Sequence, residues 1–409
     1  MPNFSIALTG LQADTVALNT IGNNLANLNT TAFKKQTTTF EDLFYQNIGT
    51  SGSQDTLQVG VGTRASSTSS DFGQGSLTTT GKATDMALSG NGFFVVQQGN
   101  LQKLTRAGNF QLDNSGNMIT TSGESVMGYG VSAGVVDQAA GIKPITLPIG
   151  AAEAAQVTSA VQFTIGLDSS AAVGKAYTSP VTVYDSLGES HVATFAFTKT
   201  SASTWDYQAT LENGVSTGTP VNNTGTLTFD SAGKLVSPAA NVTGVTFPGM
   251  TDGASDLGFD FNLYNSAGVA QVSQTSGTSN TSATMQDGFA GGSYQSFAVD
   301  GSGVVTATFS NGHTASIGQV AVATVVNADG LTRAGANDYV ITQASGPISI
   351  GMANVGGRGT IEGASLEQSN VDISAEFSDL IVAQRAFQAN SKTVTTFDTV
   401  TEQAINMIR

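Results

Sequence analysis

Apolar residues near the start of the chain recur in a 4-3 step: Phe4, Leu8, Leu11, Leu18 and Leu25, with Thr15 and Gly22 in the remaining slots. A second line, Leu18, Ile21, Leu25 and Leu28, continues the stripe. This heptad-like spacing predicts an amphipathic helix over about residues 3–28. The same step returns at the other end through Ile373, Phe377, Leu380, Phe387, Val394, Ile405 and Ile408. Asn370 or Asp372 is placed to cap that helix, which would run nearly to the last residue. Both stripes are narrow, and such helices draw most of their stability from packing against something else. Two of them at opposite ends predict that the termini meet as a coiled coil and need neighbouring molecules to finish covering their apolar faces. Two ordinary surface helices on a globular core is the plainer reading.

Between the helices the pattern is that of β-structure. Turn signals recur at Asp113-Asn-Ser-Gly116, Asp185-Ser-Leu-Gly188, Asp230-Ser-Ala-Gly233, Asn265-Ser-Ala-Gly268 and Asp300-Gly-Ser-Gly303. Each is flanked by β-branched or aromatic runs, and each reads as a hairpin with a loop of 3–5 residues. Helix and strand do not alternate, so no doubly wound parallel sheet is expected. The predicted fold is mainly β: nested antiparallel β domains of sandwich or barrel type, with N- and C-terminal α-helices forming a coiled coil.

Shifts in composition divide the chain. Residues 1–30 and 366–409 make the terminal helical domain. Residues 31–72 connect it onward, through a short helical stretch around 40–46 and then a Ser/Thr/Gly-rich run. An inner β domain takes residues 73–149 and 289–365. An outer β domain, 150–288, is inserted into it; Pro144, Pro148 and the small residues 150–156 mark its entry, and the low-complexity run 273–284 its exit.

Charge narrows the function. Charged residues are only 11% of the chain, and 15 Lys and Arg against 30 Asp and Glu leave a net charge of −15. A chain this acidic repels phosphate backbones, which argues against nucleic acid as a partner. No 18-residue apolar run exists, so no membrane insertion is expected. Cysteine is absent, which removes disulfides and thiolate chemistry. The two histidines, His191 and His313, lie far apart with no metal-binding spacing, so no metal site is expected. The first basic residue is Lys34, which leaves no positive segment for a secretory signal.

Catalytic motifs are weak. Gly130-Val-Ser132-Ala-Gly134 has the spacing of a nucleophile elbow, but the residues after Gly134 start no convincing helix, and a β-turn is the better reading. Asp252, Asp256 and Asp260 read as solvated turn residues rather than a carboxylate pair. Asp113 to Asn117 resembles part of a calcium loop without its remaining ligands. Trp205 reads as a half-buried strand residue. No enzyme and no cofactor are expected.

Five separated blocks carry a more specific signal. They are Ile21-Gly-Asn-Asn-Leu-Ala-Asn-Leu-Asn-Thr-Thr-Ala-Phe33-Lys34; residues 84–96, Thr-Asp-Met-Ala-Leu-Ser-Gly-Asn-Gly-Phe-Phe-Val-Val; Leu104-Thr-Arg-Ala-Gly-Asn-Phe110; Asn114-Ser-Gly-Asn117; and residues 366–392, with Leu-Glu-Gln-Ser-Asn-Val-Asp372, Glu376-Phe377 and Gln384-Arg-Ala-Phe-Gln-Ala-Asn-Ser-Lys392. In this order they resemble the flagellar rod, hook and hook-associated axial proteins. The residues that carry the resemblance are Asn24, Asn27, Thr30, Phe33, Lys34, Gly92, Phe93, Arg106, Gly108, Asn109, Phe110, Asn370, Gln384, Arg385 and Asn390. Ala32 departs from the family, which usually has Gly there. A β-methyl limits φ > 0, so a slightly different turn is expected.

Within that family an insertion as large as 150–288 resembles hook-type rather than rod-type members. The resemblance implies a structural subunit, exported from the cytoplasm by the flagellar type III system, that polymerises outside the cell into a flexible curved tube, a universal joint between rod and filament. It implies as partners further copies of itself, the distal rod protein, the hook cap, the hook-filament junction proteins and the export apparatus. It places the terminal helices (Phe4, Leu8, Leu11, Leu18, Leu25, Ile373, Phe377, Leu380, Phe387 and Val394) in the tube's inner wall. Phe40-Glu-Asp-Leu-Phe44 matches an export motif of the family, with a buried helical stripe of equal weight. The alternatives are a distal-rod-type axial protein, or a secreted β-rich adhesin or glycan-active protein. The latter predicts a signal peptide and leaves the paired heptad termini unexplained.

Overall fold

The computed structural model describes residues 2–50, 56–132 and 134–407, with the side chains of 2–4, 48–50 and 56–57 excepted. Two long helices stand at the ends, α1 (Pro2–Ala26) and α2 (Ile373–Met407). Asp372 caps α2: its Oδ1 accepts the N–H groups of Ser374 at 2.7 Å and Ala375 at 3.1 Å. The helices pack against each other in antiparallel register, Gly10 beside Asn390 and Asn24 beside Glu376. The buried line on α1 is Ala7, Gly10, Ala13, Thr20 and Asn24, which 3.6-residue periodicity places on one face.

The connecting segment is strand, not helix. Gln36–Asp42 pairs antiparallel with Thr63–Ser70, and Tyr45–Thr50 with Thr56–Gly60, so the helical stretch expected at 40–46 does not form. Three consecutive threonines, Thr37 to Thr39, favour extended backbone, and their partner strand lies some two dozen residues downstream, beyond any local pattern. This ladder packs along α1, where the Thr20 and Thr38 hydroxyls meet at 2.8 Å.

The chain forms two compact units: Met1–Leu147 with Phe297–Ala307 and Ala315–Arg409, and Pro148–Ser296 with Thr308–Thr314. The sheet of the first runs in the order Thr314–Val325, Ser125–Ser132, Phe93–Gln98, Leu101–Thr105, Asp338–Val340 and Thr332–Gly335. Phe93, Val95, Leu104, Met127, Tyr129 and Tyr339 fill the core on one of its faces.

The second unit is a sandwich. One sheet is a five-strand meander from Ala176–Tyr184 to Leu235–Ser237. The other contains Val242–Phe247, Leu257–Asn262, Ala160–Asp168, Val272–Thr275 and Asn280–Gln286. Strict alternation along Ala160–Asp168 and Ser190–Lys199 sends every second side chain into one core, where Phe163, Phe195 and Phe261 pack ring to ring. Trp205 is fully buried there, not half-buried, because Gln274 accepts its indole N–H at 3.3 Å. Pairing is antiparallel with one exception: Ala160–Asp168 runs parallel to Leu257–Asn262 and Val272–Thr275. The chain completes the whole opposite sheet before returning to pair with this entry strand.

All five turn signals form turns. In each, the glycine N–H bonds the carbonyl of the Asp or Asn three residues before it, and the glycine takes positive φ.

Candidate assembly face and its ionic anchor

Small and polar side chains fill the contact between α1 and α2. The Asn390 Nδ2 donates to Asp14 Oδ2 at 2.8 Å, and a Cβ at Gly10 would lie 2.8 Å from that nitrogen. Asn24 donates to Glu376 Oε2 at 3.2 Å and also trades two hydrogen bonds with the backbone of Gln36, at 2.9 and 2.8 Å. Ala7, Ala13 and Ala383 complete the buried line.

Several large apolar side chains stay partly exposed beside this contact. Leu8 is 44% exposed, Ile373 46%, Phe377 52% and Phe387 37%, while Leu11, Leu18, Leu25, Leu380 and Val394 are half-buried. The side chain of Phe4 lies outside the described residues. Val16, Ile381 and Val382 join the exposed set, and the heptad reading had passed over them. Small residues at spacings of three and four, Ala7, Gly10, Ala13 and Ala17, were the available sign of which face turns inward. A groove of about 360 Å³, lined among others by Asp14, Thr20, Phe40, Glu376 and Val382, runs beside the pair.

A buried ionic cluster anchors the chain on either side of the helices. Lys34 Nζ lies 2.6 Å from Glu367 Oε1, both side chains wholly buried, and also donates to the Gly73 carbonyl at 2.8 Å. The same Glu367 oxygen accepts the Gly75 N–H at 2.9 Å. Its other oxygen, without a hydrogen-bond partner, faces Arg106 Nη1 at 3.5 Å. Burial lowers the pKa of Lys34, with Glu367 opposing the shift, and burial likewise lowers that of Arg106. Such a pair is strongly destabilising to break, because the remaining charge is stranded. Asn370 adds a polar knot: it accepts the Lys35 N–H at 2.7 Å and donates to the carbonyls of Asp71 and Gly73.

The residues that carried the family resemblance gather largely here. Phe33 is buried beneath the Arg333 guanidinium at 5.1 Å, and Thr30 and Asn27 bond each other at 3.1 Å at the end of α1. Phe93 packs on Phe72 and Tyr339, with Arg106 5.6 Å from its ring. Phe110 meets Phe94 edge-on at 5.2 Å, and Asn109 bridges to Asp85. Gly108 has no room for a side chain, since a Cβ would sit 1.6 Å from the Met86 carbonyl oxygen; at Gly92, φ is 128° and a Cβ would meet Val322 at 2.6 Å. Gln384 and Arg385 are exposed on α2. Ala32 takes the left-handed region at φ 54° despite its methyl, and its N–H bonds the Glu367 carbonyl at 2.8 Å.

The other candidates scatter. Phe40 is 45% exposed on a strand and Phe44 90% exposed beyond its end, so they form no buried helical stripe. Ser132 ends a strand that pairs with Val135–Pro144, with no helix after it. Asp113 bonds its own turn, accepting from Ser115 and Asn117. Asp256 and Asp260 bond the N–H groups of Gly249 and Gly244 separately. In the second unit, Asp185, His191 and Asp252 do come together, which the spacing of the histidines had not suggested.

Four family models match the chain. Described as "Flagella basal body rod protein", "Flagellar hook protein FlgE/F/G D1 domain", "Flagellar basal body protein FlaE D2 domain" and "Flagellar basal body rod FlgEFG protein C-terminal", they cover residues 4–34, 87–168, 161–289 and 362–407. The chain is 33% identical to the flagellar hook protein FlgE of Treponema pallidum, over 98% of each chain. It is also 33% identical to that of Salmonella typhimurium, over 99% of this chain and 100% of the relative. The crystal structure of Helicobacter pylori flagellar hook protein FlgE2 shares the fold at 15% identity, with a TM-score of 0.54 over 70% of this chain and 99% of that one.

Proposed function

The chain belongs to the flagellar hook protein family and is a structural subunit of the bacterial flagellar hook, and from that premise we propose that its paired terminal helices form the inner wall of a tube built from copies of itself. The observation that carries this reading is the division of labour on the helix pair. Inside one molecule α1 and α2 meet through Ala, Gly, Asn, Asp and Glu, while Leu8, Phe377 and Ile381 stay about half exposed. A lone molecule gains little from ordering such helices, whose backbone alone costs roughly 1–2 kcal/mol per residue. Neighbouring copies that cover the outward side chains tip that balance, so the ends order as the polymer grows.

The ionic cluster of Lys34, Glu367 and Arg106 then has a mechanical role. It ties the base of the helix pair to the first β unit, so that torque on the inner wall passes into the β-structure rather than into a loose linker. The second unit supplies the tube's outer surface. Residues 150–288 carry three Lys and eleven Asp or Glu, which favours wet contacts that shift as the tube bends. Export by the type III system, with Phe40 and Phe44 as recognition residues, and contacts with distal rod, cap and junction proteins complete the reading. The exposure of both phenylalanines supports their availability, and undiminished secretion of a Phe40→Ala, Phe44→Ala variant would remove them from that role. Electron microscopy of the concentrated full chain tests the whole: hollow tubes are expected, and a protein that stays monomeric at every concentration overturns it.

A further inference from the structure

His191 stands within the second unit where three loops and strands converge. It lies on the strand Ser190–Lys199, immediately after the turn that begins at Asp185, and both belong to the five-strand meander. Asp252 comes from the connection between Val242–Phe247 and Leu257–Asn262, in the facing sheet. The Ser255 N–H donates to the Ser186 hydroxyl at 2.9 Å and draws the two connections together.

The geometry is lopsided in an informative way. His191 Nε2 faces Asp185 Oδ2 at 2.8 Å and Asp252 Oδ2 at 3.6 Å. An imidazole nitrogen holds at most one proton, so it satisfies Asp185 and leaves the second carboxylate directed at the same point without a bond to it. The Asp185 side chain is wholly buried. Its Oδ1 is occupied by the N–H groups of Leu187 at 2.8 Å and Glu189 at 2.9 Å, which fixes where Oδ2 points. Among the described residues, no Lys or Arg pairs with either carboxylate. Two acidic groups and one imidazole thus converge on one point, with no Lys or Arg among the described residues beside them.

We propose that Asp185, His191 and Asp252 bind one divalent transition-metal ion of the zinc class, which staples the two sheets of this unit together. The three ligand atoms lie within 4.8 Å of one another. Ligands at the usual ~2.0–2.2 Å from zinc stand roughly 3.3 Å apart in a tetrahedral site. The required adjustment falls on Asp252, which sits in an exposed connection and pivots about its Oδ1, held by the Ala254 N–H at 3.0 Å, to bring Oδ2 inward. One imidazole and two carboxylates suit zinc, with water as the fourth ligand, better than calcium or magnesium, which take oxygen ligands in greater number. The ion joins segments 67 residues apart and supplies the missing positive charge.

The test uses the full chain stripped with a chelator and then dialysed against zinc chloride, with cobalt(II) absorption as the report on ligand geometry. One zinc per chain is expected, with a cobalt spectrum and a raised melting temperature. His191→Gln and Asp252→Asn each weaken binding at least about tenfold. His313→Gln and Asp256→Asn leave it unchanged, and excess calcium or magnesium does not displace the zinc. Because Asp252 is on an exposed connection, its variant carries the test if His191→Gln fails to fold. No zinc retained by the wild type, or equal retention by His191→Gln and Asp252→Asn, overturns the proposal and leaves a hydrogen-bonded turn lock alone.

Discussion

Phe377→Asp separates assembly from folding. Phe377 is 52% exposed, one residue after the buried Glu376 that meets α1. Full burial of a Phe side chain contributes about 1.5–3 kcal/mol, so roughly half of that, about 1 kcal/mol, is still available to a neighbouring copy. Aspartate forfeits this gain and adds the desolvation of a carboxylate beside Glu376 and Asp379, for a combined loss of at least about 3 kcal/mol per contact. At 1.4 kcal/mol per tenfold, the concentration at which polymer appears should rise at least about a hundredfold. The assay is a concentration series followed by sedimentation and negative-stain microscopy, with circular dichroism melts of the unassembled protein alongside. Expected are an unchanged melt and no tubes at concentrations where the wild type is mostly polymer. Tubes at the wild-type concentration would refute the reasoning. So would a melt lowered as much as assembly, since Phe377 would then belong to the fold of the single molecule.

Glu367→Gln preserves shape but strands two buried cations, and should cost about 3–5 kcal/mol. By calorimetry the melt of the first unit falls by roughly 6–20 °C, at 2–4 °C per kcal/mol, while Lys34→Met, which leaves Glu367 facing Arg106, costs less. Asp338 is raised to about 6 by burial and by its neighbour Glu124, with Lys103 opposing. The folded state therefore binds the extra proton: this stabilisation is complete below about pH 4 and disappears as pH rises through about 6. Asp338→Asn should flatten the decline in melting temperature between about pH 4 and 6, and an identical slope in both proteins would exclude Asp338 as its source. The fragment 150–288 contains every residue of the sandwich core, from Val161 to Val272. It should melt cooperatively with a β-sheet signal, and a featureless melt would show that the boundary is misplaced.

Local signals were legible in the sequence and distant ones were not. The five Asp/Asn-x-x-Gly turns need only their own four residues, as the shared turn bond and positive-φ glycine show. The helical ends were legible from their period. Which face turns inward was not, because heptad reasoning ranks Leu and Phe above the Ala, Gly and Asn that pack the contact. The strand at residues 36–42 depends on a ladder partner at 63–70, so its short Phe40–Phe44 repeat pointed to the wrong period. Glu367 lies within a family block, yet nothing local to it or to Lys34 indicates that they meet across 333 residues. Likewise Asp252 looked like one more solvated acid until the fold placed it beside His191.

That long-range ion pair also sets an order of events. The turn-bounded hairpins close short loops on a microsecond scale, whereas joining Lys34 to Glu367 closes nearly the whole chain and must await synthesis or delivery of both ends. The β-units therefore have time to form while the flanking segments are still extended. The helices acquire their anchored base only when the last portion of the polypeptide has arrived. A chain cut short before residue 367 lacks that latch, and so cannot present a properly seated helix pair to a growing end. Completion of the polypeptide and readiness to join its neighbours become one step.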